Sequence, residues 1–318
     1  MPARAISTTP HARARRKRID RAADRTLRGL CVAASALVGL LIADIAYQLL
    51  HGGSLAMSRF GLGFLAAGAW KPNFDVFGAG PLLFGTAVTS AMALAIATPV
   101  GIAIGLFLSM FSPRPVRGVI GPLVEMLAAI PSVILGLWGI LVLGPFLRDH
   151  AEPWLHSSLG FLPIFGAPET SGSSVFTAGL ILAIMVVPII ASISRDLFET
   201  VPRELQEGAA ALGATPWEVV RGIVLPSTAS GLAAAAFLGL GRALGEAIAV
   251  TQVIGARTGV HSSLFEAGDT LASRVASQFD GSVSRLHTSA LFYLAVVLLV
   301  IGLAANLLAQ WIGNRFAR

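Results

Sequence analysis

Long apolar runs, separated by polar stretches rich in glycine and proline, dominate this chain. Six of them, at about 27–50, 82–111, 119–147, 175–197, 228–256 and 286–312, are long enough to cross the hydrocarbon core of a bilayer as helices. The pattern predicts an all-α integral membrane protein whose six transmembrane helices form one bundle over 27–318. Pro99, Pro131 and Pro188 fall inside three of the runs, where proline kinks a membrane helix and frees carbonyls for a pathway or for packing. The stretches 52–81, 148–174 and 257–285 are rich in Gly, Pro and Ser. Each has room for short interfacial helices, and they read either as a landing surface for a partner or as idle loops. The segment 1–26 is basic, and up to about Arg18 it is nearly free of large apolar side chains, which predicts no regular structure there.

The sharpest interruption of the apolar pattern lies within 198–227. Pro202 suits a first helical position, Glu204 and Glu207 fall in the opening turns, and Gly213 can end the helix in a left-handed conformation. Thr215, Pro216 and Glu218 then have the order of a capping box that starts a second helix, and Pro226 closes the unit. A rigid pair of capped helices between two spans presents a surface to a soluble partner.

Composition and charge orient the chain. It is 55% hydrophobic and only 13% charged, with a mean hydropathy of +0.76, well outside the usual soluble range. Arg13, Arg15, Arg16, Lys17, Arg18, Arg21, Arg25 and Arg28 place the N-terminus in the cytoplasm. Six crossings then put Arg114, Arg117, the 198–227 loop and the C-terminal Arg315 and Arg318 on the same side. The net charge of +6 is therefore topology and gives no reason to expect nucleic-acid binding. The first apolar run is longer than a signal-peptide core and has no good cleavage site after it, so it reads as a retained anchor.

Absences exclude whole classes of chemistry. Lys17 and Lys71 are the only lysines and neither lies in a P-loop sequence, so the chain cannot hydrolyse ATP by itself. Cys31 is the sole cysteine, and the six histidines are scattered, so no internal disulfide, cysteine-based zinc site or H-E-x-x-H motif can be built. No bound cofactor or metal is expected. The glycines from Gly239 to Gly245 have the wrong spacing for a dinucleotide loop; Gly241 and Gly245 read instead as a close-packing pair in a membrane helix.

Arg242 and Glu246 are the costly residues, because a charge near the middle of a span is penalised by several kcal/mol. At positions i and i+4 they share a helix face and can pair. One reading is a neutralised ion pair that orders the bundle. The other is an anion gate, in which the Arg242 guanidinium meets an oxyanion that competes with Glu246 for it. Thr251 and Gln252 lie further along the same run and are candidates for the same path. Ser132, Ser192 and Ser194 suit helix–helix hydrogen bonds, and Glu125, Arg195 and Asp196 suit solvated or paired helix ends.

Glu207-Gly208-Ala209, Gly213, Ile223, Leu225 and Pro226 resemble the EAA loop of ABC-importer permeases, which reads E-A-A, three residues, G, nine residues, I-x-L-P. Gly208 stands where that family usually has alanine. The stretches Trp70 to Gly78, Glu125 to Gly139, Ile181 to Pro202 and Gly239 to Gly255 are similar to PstC-type permeases of phosphate importers. The resemblance implies a MetI-like helical bundle, with the EAA loop docking on an ATPase. It also implies a heterodimer with a sister permease (PstA), an ATPase (PstB) that hydrolyses ATP with Mg, and a periplasmic phosphate-binding protein (PstS). The implied cargo is inorganic phosphate, imported across a bacterial inner membrane. Hydropathy and spacing alone leave two alternatives open: a related permease for molybdate or sulfate, and a secondary transporter or channel that needs no ATPase.

Overall fold

In the computed structural model, the backbone of residues 10–316 and the side chains of residues 24–312 are described. The chain divides into two compact units, 1–51 and 52–318. Taken by itself, the first unit is one helix, the start of α1 (Pro10–Phe60). Its apolar side chains, among them Leu30, Val38, Leu41 and Ile45, are exposed. Polar groups along it are satisfied within a turn: Ser35 donates to the Cys31 carbonyl at 2.8 Å and Gln48 to the Asp44 carboxylate at 2.7 Å. Sequence patterning predicts no regular structure before about Arg18, yet the backbone is helical from Pro10. The stretch from Pro10 to Arg28 contains good helix formers and no glycine, with proline at the tolerated first position. Residues 1–9 and 317–318 lie outside the described residues.

The second unit contains α2 (Gly80–Phe111), α3 (Arg114–Ala128), α4 (Ser132–Leu159), α5 (Val175–Glu199), α6 (Arg203–Ala211), α7 (Pro216–Gly245), α8 (Ile248–Val253), α9 (Leu271–Gln278) and α10 (Arg285–Phe316). Among the described residues, six helices are long and apolar enough to cross a membrane: α1 from Asp24, α2, α4, α5, α7 and α10. Their number agrees with the apolar pattern. No sheet occurs among the described residues; one isolated bridge joins Lys71 to Val76.

Helix α5 is central. Ser174 caps it by accepting from the Thr177 N–H at 3.1 Å, and Ile181, Val186 and Ile190 on it are fully buried. It packs on a ridge of α2 made of Ala93, Ala97, Gly101 and Gly105, buried residues that recur every four positions. The ridge works because it is small. A methyl group at Gly101 would come within 2.8 Å of the Ile190 side chain, and one at Gly105 within 2.8 Å of Ser194. Close backbone approach of this kind holds membrane helices together where no hydrophobic force acts between them.

Two spans depart from the apolar pattern. The third, expected at 119–147, instead begins at Ser132 and runs to Leu159. Pro131 lacks an N–H and disfavours helix at Ile130, so α3 ends at Ala128 and becomes a separate helix with Val119, Leu123 and Met126 exposed. The expected loop from 148 is thus helical for its first dozen residues. The fifth span is continuous with the second helix of the 198–227 loop. Pro226 sits in the first turn after a π-type stretch at Val220–Val224, where its missing N–H costs little, and it ends nothing. That span stops at Gly245, well before the expected 256.

The segment 257–285 is no idle loop. Phe265 and Leu271 are fully buried, and the Leu271 N–H donates to the Thr86 hydroxyl of α2 at 3.0 Å. Gly85 is required there, because any side chain at that position would collide with the Asp269 carbonyl. Nearby, Trp70, Phe77 and Leu291 close a second apolar cluster against α10.

Candidate functional site

The break after Gly245 creates the most unusual chemistry in the bundle. Glu246 has extended backbone, with φ −73° and ψ 114°, and α8 starts two residues later. The break leaves the last carbonyls of α7 and the first N–H groups of α8 without helical partners. Glu246 answers part of that need, since one carboxylate oxygen accepts from the Ala249 N–H at 3.3 Å. The other lies 3.2 Å from the Arg242 guanidinium. Pairing at i and i+4 therefore holds although the residues do not share one continuous helix.

Burial is unequal across the pair. The Glu246 side chain is 7% exposed, whereas that of Arg242 is 46% exposed. Arg242 lines an open groove of about 730 Å³ between α7, α5 and α10, whose walls include Phe237, Leu238, Gly241 and Asn306. A guanidinium anchored by a buried carboxylate yet open to a groove can bind an anion without leaving its partner's reach.

A methyl group added at Gly241 or Gly245 would meet nothing within 4 Å, which corrects their reading as a close-packing pair. Gly239 does that work instead, since a methyl there would approach Val186 of α5 to 2.6 Å. The two positions from Gly239 to Gly241 rotate about 200° around the helix, so one faces α5 and the other the groove.

Thr251 and Gln252 do not line this groove. The Thr251 hydroxyl donates to the Ala247 carbonyl at 2.7 Å and contacts the Ser273 hydroxyl at 3.0 Å. The Gln252 amide packs over Gly136 of α4, where a methyl group would come within 2.9 Å of it. The Thr251 hydroxyl is thus used in contacts between and within helices, and the Gln252 amide lies against α4. Of the helix-end charges, Arg195 pairs with Glu125 at 3.1 Å and with Asp196 at 3.4 Å.

At the other end of α7 the polar loop forms as its caps predict, with one change. Pro202 is the N-cap of α6, and Arg203 is its first residue. The Ala214 N–H reaches the Ala209 carbonyl at 3.1 Å and the Gly213 N–H the Ala210 carbonyl at 3.0 Å, the paired bonds of a Schellman end. Gly213 has φ +90°, which glycine alone adopts readily. Thr215 and Glu218 form a reciprocal capping box, the Thr215 N–H donating to the carboxylate at 2.7 Å. Ala209, Ile223 and Leu225 pack on a cluster around Phe198, Val201 and Val224, while Glu207, Gly208 and Pro226 face outward. Leu212 is 91% exposed and Trp217 60%, an apolar pair on a polar loop.

Residues 101–318 match the family of the binding-protein-dependent transport system inner membrane component. The phosphate transport system permease protein PstC of Mesorhizobium japonicum is 43% identical over 273 residues, covering 85% of this chain and 83% of the relative. That of Xylella fastidiosa (strain Temecula1) is 40% identical over 302 residues, covering 94% and 93%. The chain belongs to this permease family, PstC type.

As a permease of this family it is the multi-pass inner-membrane component of an ABC importer, which works with an ATPase and a binding protein. Its fold is that of the solved family members. A bacterial alginate ABC transporter, in complex with its alginate pentasaccharide-bound periplasmic protein, aligns with a TM-score of 0.58 at 18% identity, covering 91% of this chain and 97% of that one. The MetNI methionine ABC transporter in an inward-facing form aligns with a TM-score of 0.51 at 18% identity, covering 81% and 98%.

One charged pair of the permease escaped sequence reasoning. Asp269 and Arg274 flank the start of α9, their side chains 1% and 7% exposed, with 2.5 Å between carboxylate and guanidinium. Asp269 also accepts from the Thr270 N–H at 2.8 Å, and Arg274 lies over the Trp70 ring at 5.9 Å. Burial pushes the Asp269 carboxyl up from its usual range, and Arg274 pulls against that shift. In a glycine- and serine-rich stretch nothing signalled burial. The only hint was an Asp and an Arg flanking a short apolar step. Arg274→Leu should lower stability by roughly 3–5 kcal/mol, since it strands a buried carboxylate. The double change with Asp269→Leu should recover much of the loss, as read from thermal unfolding midpoints in detergent.

Proposed function

We propose that this permease carries inorganic phosphate inward across the bacterial inner membrane. Arg242, half exposed in its groove and held by the buried Glu246, is the observation that carries this reading. A phosphate oxygen takes the guanidinium, and Glu246 keeps its second partner, the Ala249 N–H, while Arg242 is engaged. A phosphate that still bears a proton donates it in a hydrogen bond to the free carboxylate oxygen, which fully ionised sulfate cannot do. The names of its relatives support the same cargo.

The remaining assignments follow from that role. The chain is not catalytic alone and holds no cofactor; ATP and Mg belong to the partner ATPase, of PstB type. Glu207, Gly208, Ala209, Gly213, Ile223, Leu225 and Pro226 couple the two, with Leu212 and Trp217 adding apolar contact. A PstA-type permease completes a heterodimer, and a PstS-type binding protein delivers phosphate outside. Both termini lie in the cytoplasm, as the basic segments require.

Uptake of labelled phosphate by cells lacking their own importer, complemented with this chain and its partners, tests the reading. Uptake should follow expression, and excess molybdate or sulfate should leave it intact. Strong competition by either anion would reassign the cargo to another oxyanion, and uptake without any ATPase would exclude the importer mechanism.

A further inference from the structure

The groove that holds Arg242 continues along α7 and α10 toward the ends of those helices opposite Arg242. It is walled by small or apolar residues, among them Ala234, Leu238 and Ala305, with two exceptions besides Arg242. These are Asn306 and Gln310, one helical turn apart on the exposed face of α10, both lining the groove. Lining positions from Ala234 to Arg242 extend it for about 12 Å along the helix axis. Around them Leu303, Leu307, Leu308 and Trp311 are exposed apolar groups, as a membrane-facing helix requires. Carboxamides in that setting are costly unless they meet a polar partner.

We infer that Asn306 and Gln310 are stepping sites for the transported anion on its way inward from Arg242. The inference rests on the cargo reading above and extends it from one contact to a track. Chemistry favours the assignment. Each carboxamide offers two N–H donors and no charge, so it can replace part of an anion's hydration without trapping it. Conduction requires such weak successive sites after a strong one. Their one-turn spacing puts both on the same side of α10 as Gly302, which also lines the groove and where even an added methyl group would meet nothing within 4 Å.

Asn306→Leu and Gln310→Leu, alone and together, keep the helix and remove the donors. Labelled phosphate uptake by the assembled transporter should fall by roughly tenfold for each single change, the loss of one hydrogen bond to a charged group. Its half-saturating concentration, set by delivery from outside, should stay put. Asn306→Gln should restore most of the rate, because the donor returns. Wild-type uptake in the double leucine variant would overturn the track while leaving the cargo reading intact, as would loss of co-purification with the sister permease, which would make the amides interface bonds. Failure of the unaltered transporter to carry phosphate would instead overturn both.

Discussion

Replacing Arg242 with glutamine is expected to reduce phosphate uptake by at least about a hundredfold, the scale seen when one preorganised donor to an anion is removed. The assembled complex should still be recovered. Glu246 would retain its bond to the Ala249 N–H, so the start of α8 keeps its cap. Arg242→Lys should restore little, since an ammonium is a point charge without the planar, paired donors of guanidinium. The double change Arg242→Gln with Glu246→Gln decides between gate and scaffold. It leaves no unpaired charge, and the amide oxygen introduced at position 246 can still accept from the Ala249 N–H. If the pair only orders the bundle, uptake returns in the double variant. A gate stays shut. Recovery of transport would therefore end the anion-contact assignment.

Gly213→Asp should leave membrane insertion intact and cut association with the ATPase by roughly tenfold, from about 1–2 kcal/mol of backbone strain. The cost is in the backbone and not in crowding, for a side chain at Gly213 would meet nothing within 4 Å. At φ +90° a residue with a Cβ is strained, and relief comes by re-aiming the turn that sets α6 against α7. Both the Schellman bonds and the exposed Leu212 next to them would shift. Gly118→Ala is the matched control: it too is exposed with open space around it, but it sits inside α3 with ordinary backbone geometry. Co-purification of the ATPase at wild-type yield from the Gly213→Asp variant would remove this loop from the coupling interface.

Much of the loop was legible because its signals are local. A cap and its bonded N–H lie three or four residues apart, so Thr215, Glu218 and Gly213 specify their geometry without reference to the rest of the chain. Pro226 misled for a related reason. A proline stops a helix only when its neighbours cannot spare a hydrogen bond, and the π-type stretch before it had already released one. The Arg242–Glu246 pairing was also legible from spacing, but the helix break between them was not. Gly245 and Glu246 carry no proline or turn dipeptide to announce it.

By itself the sequence determined that the chain is helical, that it crosses the membrane six times and that it presents a capped loop, because hydropathy, charge and capping act over one helix or less. It also set the small-residue ridge of α2, a repeat of four that any helix places on one face. Tertiary structure alone decided the rest. The placing of Arg274 over Trp70, the contact of Thr251 with Ser273, and the meeting of Arg242 with Asn306 and Gln310 in one groove join residues far apart in the chain or on different helices. Such meetings depend on which faces of separate helices turn toward each other, and no local pattern encodes that choice.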